Sequence, residues 1–305
     1  NILQFQFGNA EAIREVAKSK SALWTGIILV LLTSIARNYD QTFILEKPLL
    51  WLFGSLLFSS GSASLIFFFI YPTFIRCHLP PVRPNLESQF RSFLGLFWMT
   101  APIAWLYAIP VERFLSSYQA AQANLALLAV VALWRVLLLA RVFSAVQQVP
   151  LWRTLLWVLI PASIEVLAIV IFGGALSQAI IRGMGGMRNS PEEELVQIAM
   201  GNSAGAAFWI GIAAIVLLVI LRNKKLFHAF PKPLPDPIPV IGLVLLSLLW
   251  LGFAVNPQIQ VKRSFRIEQL MKAGKYRETI QLLSAHEEKD FAPARQIPPK
   301  PYERE

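Results

Sequence analysis

The stretch AAQANLALLAVVALWRVLLLARVFSAVQQVPLWRTLLWVLIPASIEVLAIVIFG, residues 120–173, decides the fold. It holds two apolar runs, 120–143 and 152–173, each longer than the ~20 residues that carry a helix across a bilayer. Between them Gln147, Gln148 and Pro150 supply a polar turn. Two such runs back to back read as an antiparallel pair of membrane helices.

The same pattern recurs outward in both directions. Apolar runs at 21–36, 49–71, 93–110, 203–221 and 238–255 extend the reading to about seven spans of an all-α, polytopic transmembrane bundle. The run at 21–36 is short for a crossing and leans on Trp24, Lys20 and Arg37 as interfacial anchors. Composition agrees, since the 305 residues are 55% hydrophobic and only 15% charged, against ~25% charged in soluble domains. With 21 Phe and 9 Trp the chain is too apolar to be disordered, and its single cysteine, Cys77, cannot pair internally. The formal charge of +10 suits cytoplasmic loops and lipid headgroups, so membrane lipids are expected partners and nucleic acid is not.

Three parts follow. Residues 1–20 read as an amphipathic interfacial helix, with Asn9 capping a turn that opens with Glu11 and an apolar face of Ala10, Ile13, Val16 and Ala17. Residues 21–255 form the membrane domain. Residues 256–305 form a soluble tail with a short helical hairpin broken at Gly274 and a Pro-rich, charged end that stays disordered unless something holds it. Phe265, Leu270, Tyr276, Ile280 and Leu283 make the hairpin's apolar face, which two short helices cannot bury alone, so they are the expected partner contacts.

Lysine and arginine on the short loops number twelve on the side of the N-terminus and five on the other, which places the N-terminus in the cytoplasm and the tail outside. Counting Lys262, Arg263, Arg266, Lys272 and Lys275 of the tail narrows the bias to twelve against ten. Arg141, Arg153, Lys224 and Lys225 sit near span ends and are assigned to lipid headgroups. Three connections stand out. The glycine-rich RGMGGMR (182–188) reads as a hinge, while LPPVRP (79–84) and the alternating prolines of 231–239 read as stiff elbows. Ser190-Pro191-Glu192-Glu193 reads as a capped helix start.

Two charges fall inside spans, where each costs ~2.5–3.5 kcal/mol on insertion scales. Arg135 and Glu165 lie on the antiparallel pair at depths differing by only ~6 Å at ~1.5 Å per residue. They read as an intramembrane polar pair, either a helix-orienting contact or part of a site for an anion, proton or lipid headgroup. Gly201-x-x-x-Gly205 and Ala207-x-x-x-Gly211 supply small residues for close helix packing. Glu112-Arg113, at a span end, reads as an interfacial salt-bridge cap.

Enzyme signatures are missing. His78, His228 and His286 are scattered without HExxH, and there is no GxSxG, no Rossmann glycine pattern and no Walker spacing. No catalytic residue, metal or cofactor is expected. The stretches FGNAEAIREVAKSKSALWTG (7–26), FWMTAPIAWLYAIPVERF (97–114) and LWRVLLLARV (133–142) resemble a group of uncharacterised multi-pass membrane proteins from bacteria. That resemblance implies a bacterial inner membrane and transfers no functional residue. LMKAGKYRETIQLLSAH (270–286) resembles a single tetratricopeptide-type hairpin, of which a self-standing stack needs at least three. The expectation is a non-catalytic accessory or scaffold subunit docking other membrane subunits through its termini. The alternative is a permease or small-molecule binder using Arg135 and Glu165.

Overall fold

The computed structural model describes residues 2–39, 43–46, 48–77, 85–175, 191–221 and 240–292. The glycine hinge at 182–188, both proline elbows, Lys224, Lys225, Ser190 and the end from 293 on lie outside them. Helices α1 (Ile2–Gln6), α2 (Ala10–Lys18), α3 (Ser21–Asn38), α4 (Pro48–Cys77) and α5 (Leu86–Trp98) come first. Then follow α6 (Ser117–Gln147), α7 (Leu151–Ala168), α8 (Pro191–Ile220), α9 (Val240–Lys272) and α10 (Tyr276–Ser284). Among the described residues six segments are long and apolar enough to cross a membrane: Phe53–Tyr71, Leu86–Arg113, Ser117–Gln147, Leu151–Phe172, Glu194–Ile220 and Val240–Lys272. Ser21–Ala36 is a shorter apolar helix.

The third span is not one helix. The α5 helix stops at Trp98, and a 3₁₀ segment, Ala101–Ala108, carries the chain onward behind Pro102. Proline lacks an N–H, and in hydrocarbon no water replaces the lost bonds, so irregular backbone survives there only inside protein. This span is accordingly the most buried of the six. Side chains donate to carbonyls along it. Gln6 Nε2 donates to Met99 O at 2.6 Å, Thr100 Oγ1 to Phe97 O at 2.7 Å, Thr33 Oγ1 to Ala101 O at 3.2 Å and Tyr39 OH to Ala108 O at 2.8 Å.

Around this broken span the bundle closes. Phe93 stacks between Phe67 of α4 and Phe143 of α6, with ring centroids 5.5 and 5.6 Å away. From the other side α9 docks through Trp250, which stacks on Trp105 and donates to Leu32 O at 2.8 Å. The α6–α7 turn is built as its glutamines suggest. Gln148 adopts a positive φ of 55°, Ser144 Oγ donates to Val149 O, and Thr154 Oγ1 reaches back to Ala140 O. After Ala168 the seventh helix widens into a π-helical stretch, Ile169–Ala175.

The N-terminal residues form two helices joined at Gly8, whose φ is +73°. Asn9 caps α2 by accepting from Glu11 N and Ala12 N. The apolar face of α2 turns to protein, with Ala12, Ile13 and Ala17 buried. Arg14 Nε donates to Ala145 O and Arg141 Nε to Gly8 O. The α1 helix reaches deeper, where Trp134 Nε1 donates to Gln6 O; Trp134 lies ~10 Å along α6 from Arg141 at ~1.5 Å per residue.

The tail also departs from the expected boundary at 255. The α9 helix runs unbroken through Pro257 to Lys272, 33 residues in all. The chain then turns at Gly274, with φ +70°, into α10. One continuous helix thus supplies both a candidate span and the first arm of the hairpin.

Close helix approach falls at Gly211, where the sequence pointed, and at two glycines it did not single out. A Cβ added at Gly26 would stand 2.6 Å from Trp98 Cβ, and one at Gly95 would stand 3.3 Å from Leu23 N. These glycines make the α3–α5 crossing. Gly211 meets Ser163 Cβ at 3.1 Å, whereas Gly201 and Gly205 face open space. Gly26→Ala is therefore expected to cost ~1–3 kcal/mol by overpacking, read as a lower melting temperature in detergent. Gly205→Ala should leave the monomer's melting temperature unchanged.

Candidate functional site

The intramembrane charges converge from different helices. Arg135 lies on the α6 face shared by buried Val131, Leu138 and Leu139, so it points into the bundle. Its guanidinium carbon sits 5.1 Å from the centre of the Phe97 ring, at the end of α5. Glu165 and Tyr107 are within electrostatic range of it. No described ion pair joins Arg135 to Glu165 directly. Instead Glu165 accepts a short hydrogen bond from Ser62 Oγ, which ties α7 to the small-residue face of α4. The cluster is thus Arg135, Glu165, Ser62, Tyr107 and Phe97, gathered beside the break in the third span.

Two features of the cluster have chemical content. A carboxylate held by a hydroxyl keeps its remaining lone pairs for a proton or a cation. An arginine whose described contact is an aromatic face keeps N–H donors for an anion, which low polarity makes costly to leave unmet. Ser62 stands in the serine-rich run 59–64 of α4, and no spacing in the sequence assigns its hydroxyl to Glu165.

The other predicted residues disperse. Arg141 is engaged with Gly8 O, and Arg153 stacks on its neighbour Trp152 at 4.8 Å. Arg141 is thus tied to the N-terminal helices and Arg153 to its own helix. Phe265 stacks on Phe43 at 5.9 Å and Leu270 is buried, so these two tail residues pack internally. Tyr276, Ile280 and Leu283 remain 64%, 65% and 47% exposed. Thr279 is the α10 residue that turns inward. Glu112 and Arg113 bind different helices, Glu112 accepting from Asn124 Nδ2 at 2.7 Å and Arg113 donating to Gln260 Oε1 at 2.9 Å.

Among the described residues no group of three or more His, Cys, Asp or Glu gathers to hold a metal. His286 contacts Leu282 O through Nδ1, and His78 and His228 lie outside the described residues. A cavity of about 400 Å³ opens elsewhere, between the α2–α3 junction and the first turns of α5. Its polar walls are Ser19 and Lys20 on one side and Glu87, Ser88, Arg91 and Ser92 on the other. In the sequence Lys20 reads as an interfacial anchor of the run 21–36 and Arg91 as a loop charge. Their shared cavity depends on the α3–α5 crossing, which spacing does not reveal.

Glu165→Leu should lose more folded protein than the Arg135→Leu/Glu165→Leu double variant, because leaving one buried charge alone costs ~3–5 kcal/mol. Melting curves of both singles and the double test this, and strictly additive losses would show that the two charges are uncoupled.

In comparisons with protein-family models, curated proteins and solved structures, nothing matched the chain.

Proposed function

We propose that this protein is a non-catalytic accessory subunit of a bacterial inner-membrane complex, holding a partner protein through its C-terminal hairpin. The observation that carries this is the outward apolar stripe of α10. Tyr276, Ile280 and Leu283 follow helical spacing on one exposed face, while Thr279 faces α9. An apolar stripe turned away from its own protein marks a binding surface.

The height of the stripe favours protein over lipid. Gln258 donates to Tyr39 O and accepts from Ile44 N, which sets the level where α9 leaves the bundle. Lys272 lies ~20 Å further along the helix at ~1.5 Å per residue. Charge narrows the partner. Lys272 pairs with Glu268 and Lys275 with Glu278, leaving exposed Lys262, Arg266 and Arg277 as a basic rim. The matching surface is an apolar patch edged with carboxylates.

Counting Ser21–Ala36 as a seventh crossing puts the two termini on opposite faces, with the hairpin outside the cytoplasm by the positive-inside rule. A second reading, a binder of a small anion within the bundle, is favoured by Arg135, which keeps N–H donors in an apolar surrounding.

A photo-crosslinking residue at position 280, in cells, is expected to give one discrete heterologous adduct. Ile280→Asp should abolish co-migration with that subunit in native mass spectrometry without altering the melting temperature, since residue 280 is exposed. A monomer or homo-oligomer unaffected by Ile280→Asp would overturn the proposal and turn attention to Arg135.

A further inference from the structure

The cavity between the α2–α3 junction and α5 belongs neither to the polar cluster nor to the tail. Its volume of about 400 Å³ falls within the ~300–1,000 Å³ of small-molecule sites. Its height is set by the chain. Lys20 immediately precedes the apolar run 21–36, and Trp24, which also lines the cavity, is 57% exposed. A lysine and an exposed tryptophan one turn apart mark the headgroup level of a bilayer. Gly95 lies at the bottom, where α5 touches the backbone of Leu23.

The charges in this cavity alternate. Lys20 stands on one wall, without a described ion-pair partner. On the other wall Arg91 Nη1 approaches Glu87 Oε1 at 3.6 Å, a loose contact between exposed groups that leaves the carboxylate room for a second donor. Two cations and one carboxylate fit a ligand that carries a phosphate and an ammonium a short chain apart. A purely anionic ligand would meet Glu87 as a like charge.

We propose that this cavity binds the headgroup of a phosphoethanolamine lipid. The phosphate lies against Lys20 and Arg91, and the primary ammonium donates to Glu87, with the acyl chains following the apolar surface below Trp24. A choline headgroup has the same charges but no N–H to give the carboxylate, so the cavity distinguishes the two. By filling the space above Gly95 the lipid braces the α3–α5 crossing. This inference does not depend on what the tail holds.

The full chain, purified in detergent, would be tested with phosphatidylethanolamine, phosphatidylcholine, phosphatidylglycerol and inorganic phosphate. Native mass spectrometry reads retained lipid and melting curves read stabilisation. Phosphatidylethanolamine should be retained about fivefold over the other two lipids and should raise the melting temperature. Lys20→Gln and Glu87→Gln should each weaken its retention by about fivefold, the scale of one charge near a headgroup. Both residues are exposed, so unliganded melting serves as the folding control. Equal retention of phosphatidylcholine would overturn the ammonium contact. Equal stabilisation by inorganic phosphate would make the ligand a soluble anion. Retention indifferent to both substitutions would remove the site.

Discussion

A membrane helix that stops halfway leaves carbonyls that lipid cannot solvate, and the structure is arranged around that constraint. Where α5 ends at Trp98, donors arrive from two other pieces of chain: Gln6 from the N-terminal helices, and Thr33 of α3 with Tyr39 at its C-cap, while Thr100 serves locally. Each donor needs its own element held in register. Gly26 and Gly95 bring α3 close enough for Thr33 to reach. Asn9 and Gly8 aim α1 inward, and Trp134 and Arg141 of α6 fasten it through the Gln6 and Gly8 carbonyls. The N-terminal residues are thus structural members of the membrane domain, and their polar groups complete a span they do not belong to.

The same break collects the polar residues that the rest of the bundle excludes. Phe97, the neighbour of the last helical residue of α5, offers its ring to Arg135, and Tyr107 comes from the 3₁₀ segment beyond. Glu165 is drawn toward α4 by Ser62. Arginine over an aromatic face and carboxylate on a hydroxyl are two separate accommodations of charge, each smaller than a salt bridge. They hold α4, α5, α6 and α7 around one point while leaving donors and lone pairs uncommitted.

Hydropathy makes the spans legible because a run of ~20 apolar residues has few other uses. The run 120–173 folds as the antiparallel pair its composition announces, and the local signals at Asn9, Pro191 and Gly274 each mark a helix end. What depends on geometry between helices was hidden. Gly201 and Gly205 have the spacing of a packing motif yet face open space, whereas Gly26 and Gly95 have no motif and make the tightest crossing. Pro102 in the middle of a span was the available signal for the broken third helix, outweighed by uniform apolarity. Polarity rises after residue 255, which reads as the end of the membrane domain, and α9 continues through that point as one helix because a helix needs no apolar environment. Arg135 and Glu165 could be matched in depth from sequence, while their immediate contacts, Phe97 and Ser62, required the packing of two further helices.

The unbroken α9 has a mechanical consequence. At ~1.5 Å per residue it is a rod of about 50 Å, clamped from Trp250, which stacks on Trp105, to Gln260, which accepts from Arg113. From Gln260 to Lys272 is an arm of ~18 Å, so a tilt of ~10° swings the hairpin by ~3 Å. Small rearrangements against the broken third span are thereby enlarged at the far end of the chain, and a load applied to the hairpin returns to Trp250 by the same path.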